Sequence, residues 1–234
     1  MRVEPFEMKK SDFQLLVASV RQAGCIKRGE MEPARMVEVR LLTESLLFPP
    51  SSVGPYRHTD YLTLPDEPRC ELIFGRFYAT PSPHVPHQLV NLMLTRRLDD
   101  IAQESGGLVL CAPIDVRLAE HSTVQPDILY LTAQHRSRAR QIVEGAPDLI
   151  VEMVSPSTAR LDRGEKLRLY ADAGVREYWI VDPAACQISF LVNLAGRFRV
   201  ALDLDGIYRS EILPELTLDL IGLWGDLEAR LPSS

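Results

Sequence analysis

No stretch of this 234-residue chain is apolar for the length of a membrane span. The opening MRVEPFEMKK lacks the apolar core of a signal peptide. Membrane insertion and secretion are therefore not expected, and a cytoplasmic protein is. Cysteine is scarce: Cys25, Cys70, Cys111 and Cys186 lie far apart, form no CxxC pair and have no histidine pattern beside them. That spacing argues against a zinc site and a disulfide framework, and predicts reduced thiols. Positive charge is short as well. A net charge of −6 provides no global basic field of the kind that advertises nucleic-acid binding, which leaves such binding to a local basic face. Internal repeats and low-complexity tracts are absent.

What remains is the composition of an ordinary globular protein, long enough for one large domain or a domain with an extension. Ser11 can cap a helix in which Phe13, Leu16, Val17 and Val20 recur at helical spacing up to Gly24. The apolar segment from Met36 reads as helix or strand in its first half. FPPSSVGPYRH, residues 48–58, reads as a linker. Beyond it, CELIFGRFYAT has the alternation and central glycine of a hairpin. PSPHVPHQLVNLMLTRRLDDIAQESGG then predicts a helix with Leu89, Val90, Met93, Leu94, Leu98 and Ile101 on one stripe and a Gly106-Gly107 stop. LVLCAPIDVRL, VQPDILYL and DLIVEMV read as three strands. DRGEKLRLYADAG reads as a helix in which Asp162 and Glu165 have capping-box spacing and Gly174 marks the end. EYWIVD and QISFLVNL complete a sheet. Helix, three strands, helix, two strands make an α/β core of mixed strand direction.

One residue is out of place in this scheme. LIVEMVSPST has the continuous apolar run of a strand covered on both faces, yet Glu152 stands in its middle. A carboxylate there costs several kcal/mol without compensation. Asp127, at the entry of a neighbouring strand candidate, can project to the same point. Two carboxylates at close range repel unless a proton or cation lies between them. Hard oxygen donors without a Cys/His cluster favour Mg²⁺ or Mn²⁺. Asp162, Lys166 and Tyr170 are spaced i, i+4, i+8 on one helix face. Two acids holding a metal, with a lysine near a helix N-terminus, suit phosphodiester hydrolysis.

Asp127 in QPD, Glu152 in VEMVSPST and Lys166 in DRGEKLRLYADAGVREYWIVDP resemble the Uma-two family of restriction endonucleases, within the PD-(D/E)XK nuclease superfamily. The resemblance extends through YLTLPDEPRCELIFGRF, SPHVPHQ, APIDVRL and GIYRSEILPELTLDLIGLW, covering residues 59–224. It implies a restriction-endonuclease-like αβββαβ core with a mixed central sheet, preceded by a helical extension and linker (1–58) and followed by a short tail (225–234). It also implies a Mg²⁺- or Mn²⁺-dependent endonuclease acting on DNA. Asp127 and Glu152 would bind the metal, with the Met153 carbonyl as a further ligand, and Lys166 would assist the attacking water. His87, Glu71, Asp162 and Tyr170 are the expected supporting residues. The chain departs from the pattern twice. Val154 stands where the superfamily motif has its lysine, a role the Uma-two pattern moves to Lys166. Arg76 replaces the usual acid after the ELIxG glycine, which leaves Glu71 as the matching upstream acid.

Bland readings stand beside these. Glu152 could be half of a buried ion pair, Lys166 a solvated helix lysine, Asp127 a turn residue and His87 a structural hydrogen-bonder. The arginines of QHRSRARQ, and Arg160, Arg163 and Arg168, could contact phosphates or simply face solvent. Tyr178 and Trp179 read as core aromatics. The rival functional readings are a catalytically inactive nucleic-acid-binding or regulatory protein on the same fold, and a hydrolase of some other phosphate ester. The apolar faces of the extension need burial either against the core or in a partner, and because many nucleases that cut both strands pair two active sites, the resemblance leaves room for a homodimer.

Overall fold

The computed structural model describes residues 53–65, 68–155 and 158–231. The chain divides into a unit of residues 1–44 and a unit of residues 45–234, and the described residues belong to the second. The expected helix after Ser11, the segment from Met36 and the first part of the linker lie outside the described residues.

A short helix α1 (His58–Tyr61) leads into a hairpin of β1 (Cys70–Ile73) and β2 (Arg76–Ala79). Its two-residue turn has positive φ at both Phe74 (47°) and Gly75 (72°), the arrangement that matches strand twist. Glycine is required at 75 for a second reason: a Cβ there would stand 2.3 Å from the Gly54 carbonyl oxygen. The predicted long helix is α2 (Val85–Ser105), with proline in its first turn and Gly106 in the left-handed C-cap conformation.

Two of the three strand candidates that follow are each broken in two. LVLCAPIDVRL forms β3 (Leu108–Cys111) and β4 (Val116–Ala119), separated by the cis Ala112–Pro113 bond. VQPDILYL contributes the end of β5 (Ser122–Val124) and all of β6 (Ile128–Leu131), parted at Gln125-Pro126-Asp127. The proline cannot donate to a ladder, so each run changes sheet there instead of extending. Beyond β6, β7 (Val143–Glu144) and β8 (Leu149–Met153) lead to α3 (Ala159–Asp162), α4 (Glu165–Ala173) and β9 (Glu177–Asp182). β10 (Gln187–Leu194), β11 (Arg197–Ala201), β12 (Ile207–Arg209), β13 (Thr217–Asp219) and α5 (Leu220–Arg230) complete the described chain.

The expected mixed α/β core is present, built around a six-stranded sheet of order β11-β10-β9-β8-β6-β3 in which only β8 and β9 run parallel. A second sheet, β2-β1-β5-β4-β7, lies beside it. Side chains alternate across β8. Leu149, Val151 and Met153 join Val90, Leu94 and Leu98 of α2 and Leu223 and Leu227 of α5 in one core. Ile150 and Val154 join Leu169 and Tyr170 of α4, and Ile73, Val116 and Val124 of the second sheet, in another. Glu152 has the parity of Ile150 and Val154, so it faces α4 and the second sheet.

Asp162 does not form the expected capping box. It ends α3, and α4 starts anew after Gly164. Gly174 does close α4 in the left-handed conformation.

Candidate active site

The site forms where β6 begins and β8 ends. Their antiparallel register pairs Tyr130 with Leu149, Leu129 with Ile150 and Ile128 with Val151. One further step sets Asp127 across from Glu152 on the same face, so the corner at Pro126 delivers the aspartate to the glutamate. The Met153 backbone N–H donates to Asp127 Oδ2 at 2.7 Å. His87, in the first turn of α2, lies with Nε2 3.0 Å from Asp127 Oδ1 and fixes the other oxygen.

Lys166 enters from the first turn of α4. Its ammonium is 2.9 Å from Glu152 Oε1, 2.9 Å from Glu71 Oε2 on β1 and 3.6 Å from Asp162 Oδ1. The Tyr170 hydroxyl, one turn further along α4, donates to Glu152 Oε1 at 2.6 Å. The helix-face spacing therefore brings Asp162, Lys166 and Tyr170 to one place even though the helix breaks at Gly164. Glu71 Oε1 accepts from the Gln125 N–H at 2.7 Å, which links the second sheet to the corner that carries Asp127. The Tyr178 hydroxyl donates to the Asp162 carbonyl at 3.1 Å. Lys166, Glu71, Glu152 and Asp162 are all buried.

Three carboxylates thus share one ammonium, and the charge of Asp127 adds a fourth beside Glu152. Burial, opposed by Lys166 but reinforced by the charges of Asp162, Glu71 and Asp127, raises the Glu152 carboxyl well above the ordinary range. The Asp162 carboxyl is raised as well, again by burial first. Burial alone would lower Lys166, but Glu152, Glu71 and Asp162 outweigh it and raise the ammonium well above its usual range. The two shifts agree physically: the cation has more anions than it needs, and each anion has less than a full cation. Tyr170 and Tyr178 are raised by burial and then by Glu152, so both hydroxyls stay protonated donors.

Such a surplus of buried negative charge is met by protons or by a further cation. The donors suit a hard divalent ion in their chemistry and charge, with Asp127 and Glu152 directly opposed. A preassembled shell is another matter: among the described residues no three His, Cys, Asp or Glu side chains are arranged to hold a metal ion.

Glu71, His87, Asp127, Glu152, Asp162 and Lys166 line a cleft of about 1410 Å³ that also takes in Arg69, Thr80, Gln125, Thr158 and the α5 residues Trp224 and Glu228. The sequence reading placed Glu71 among the supporting residues, and the structure sets it directly on Lys166. It missed Gln125, whose side-chain amide donates to Asp115 Oδ1 (2.9 Å) and the Tyr61 hydroxyl (3.2 Å). The QPD triplet was the available signal. Tyr178 and Trp179 are core residues as expected. Of the arginines, Arg138 binds the Ala146 carbonyl, Arg163 lies 3.5 Å from Asp182, and Arg168 stacks over Phe74 and pairs with Asp172. None of these lines the cleft.

Comparison with known proteins adds three findings. A family model, Uma2, described as "Putative restriction endonuclease", matches residues 58–220. Five chains of solved structures match, among them a crystal structure titled as "a putative nuclease belonging to DUF820" from Anabaena variabilis ATCC 29413. That chain is 19% identical, with a TM-score of 0.65 over 74% of this chain and 99% of its own, a likeness of fold. The curated proteins contain no match. No described helix is long and apolar enough to cross a membrane.

Proposed function

From the premise that this chain belongs to the Uma2 family, we propose that it is a divalent-metal-dependent endonuclease that hydrolyses DNA phosphodiester bonds at the Asp127–Glu152–Lys166 cluster. The observation that carries the proposal is the buried surplus of carboxylate around Lys166 at the open end of the sheet.

Asp127 and Glu152 are the residues that would hold Mg²⁺ or Mn²⁺, with the Met153 carbonyl as a further donor. A metal there lowers the pKa of bound water and neutralises developing charge on the phosphate. The chain's own groups have separate tasks. His87 and the Met153 N–H fix the two oxygens of Asp127, so its carboxylate is oriented before any ligand arrives. Tyr170 holds Glu152 in the same way. Lys166 carries a raised pKa and is always protonated near neutral pH, which suits it to stabilise negative charge and orient a water, not to abstract a proton. Glu71 is the second anchor of that ammonium, holding it from the facing sheet.

The experiment is cleavage of duplex DNA with Mg²⁺ or Mn²⁺ by the wild type and by Asp127→Asn and Glu152→Gln. Both variants remove negative charge from the crowded cluster, so folding is preserved. Loss of an oriented ligand or charge is expected to lower the rate at least about 100-fold. Full activity in either variant defeats the assignment. Metal binding without cleavage of any nucleic acid or small phosphoester points to a regulatory protein on this fold.

A further inference from the structure

The nuclease reading leaves open how a polyanion approaches a cleft lined by Glu71, Asp127, Glu152, Asp162 and Glu228. The buried lysine cannot attract it, because its ammonium is already shared among three carboxylates.

Arg69 is the one arginine among the described residues lining the cleft. It is part-exposed, and its guanidinium makes no ion pair or hydrogen bond among the described residues. It sits just before β1, opposite Thr80: the β1–β2 register pairs Cys70 with Ala79, and the Thr80 N–H donates to the Arg69 carbonyl at 2.8 Å. Arg69 and Thr80 therefore share a sheet face with Glu71, two residues along the strand. The Thr80 hydroxyl is buried without a hydrogen-bond partner. A buried hydroxyl left unpaired is costly, and a planar guanidinium in an acid-lined cleft with no acid bound to it is unusual. The two groups supply complementary donors, a fork and a hydroxyl, of the kind that bind one phosphate. The N-terminus of α2 opens on the same cleft through His84, Pro86 and His87, adding its positive dipole end.

We propose that Arg69 and Thr80 form a phosphate-binding subsite on the β1–β2 hairpin, which holds a backbone phosphate of the DNA flanking the one that is cut. The inference rests on the nuclease reading and names two residues that position the substrate. Arg69 donates its fork of N–H groups to the phosphate oxygens, and Thr80 donates its hydroxyl to a non-bridging oxygen.

The test is fluorescence anisotropy with a labelled DNA duplex in buffer containing Ca²⁺ to fill the acidic cluster, titrated with protein at several salt concentrations. Wild type, Arg69→Ala, Arg69→Lys and Thr80→Val are compared, each checked for an unchanged melting transition. Losing one phosphate contact should weaken binding about tenfold and lower the slope of log affinity against log salt by about one. Arg69→Lys should restore the slope but not the full affinity, since a point charge replaces the fork. Thr80→Val should weaken binding with the slope unchanged. A merely structural arginine would leave the slope alone. Unchanged affinity and slope in Arg69→Ala, with the wild type binding and cutting DNA, overturn this subsite alone. Failure of the wild type to bind DNA at all overturns it together with the nuclease reading.

Discussion

Glu152 shows how a single residue carries both the cost and the purpose of this site. Its carboxyl is raised because burial and the charges of Asp162, Glu71 and Asp127 oppose ionisation. A group whose pKa is raised on folding favours the folded state at acid pH, and that advantage is lost as pH climbs through the folded value. Asp162 acts in the same direction. Lys166, also raised, adds stability that persists through neutral pH and disappears only on the alkaline side. The metal-free protein should therefore lose stability as pH rises from the carboxylate range towards neutrality. Glu152→Gln should flatten that dependence and raise the neutral-pH denaturation midpoint, while abolishing cleavage. Urea unfolding at a series of pH values measures this, and an unchanged pH profile in the variant would remove the electrostatic basis of the argument. The converse change, Lys166→Ala, leaves three buried carboxylates without their cation. It should cost about 3–5 kcal/mol near neutral pH, and less where the acids are protonated. Equilibrium denaturation at both pH values is the check.

At the scale of elements, a buried aspartate ties the far end of the sheet. Asp148 accepts from the Thr132 N–H (2.8 Å) and hydroxyl (2.9 Å), lies 2.9 Å from His135 Nδ1, and takes an Arg176 contact at 3.3 Å. Burial would raise its carboxyl, but the Thr132 backbone bond and then His135 outweigh that and lower it. Its contribution is present above the carboxylate range and lost as pH falls through the folded value. Asp148→Ala should cost about 1–3 kcal/mol near neutral pH and little in acid, as urea unfolding at the two pH values would measure. How far these elements were legible follows from their periodicity. β8, β9 and α2 carry long unbroken patterns, and the sequence identifies them. The runs at 108–118 and 124–131 look like single strands, because apolar alternation does not say which sheet a residue joins. Prolines at 113 and 126 were the punctuation, and they turn each run from one sheet to the other. The short strands β12 and β13 are too brief for any period. Within the site, Glu152 stands out because a charge interrupts an apolar run, whereas Asp127 in a Pro-Asp turn and Lys166 on a charged helix take their weight from the family resemblance around them. Gln125 does not stand out, because an amide in a turn breaks no pattern.

For the molecule as a whole, the two crossings make the sheets mutually dependent. Hydrogen exchange should give core amides of β1, β5, β6 and β8 the same global opening free energy. Earlier exchange of the second sheet would show that the crossings do not couple them. The net charge of −6 and the acid-lined cleft further imply that DNA affinity is low without divalent cations. The most direct measurement of the central claim is a calorimetric titration of Mn²⁺ into the metal-free protein, in buffers of different ionisation enthalpy, with Glu152→Gln in parallel. Cation entry into a cluster that holds protons must expel them, so the account predicts saturable binding to the wild type with proton release, and loss of both in the variant. Equal binding by the two proteins, or none by the wild type, would contradict it.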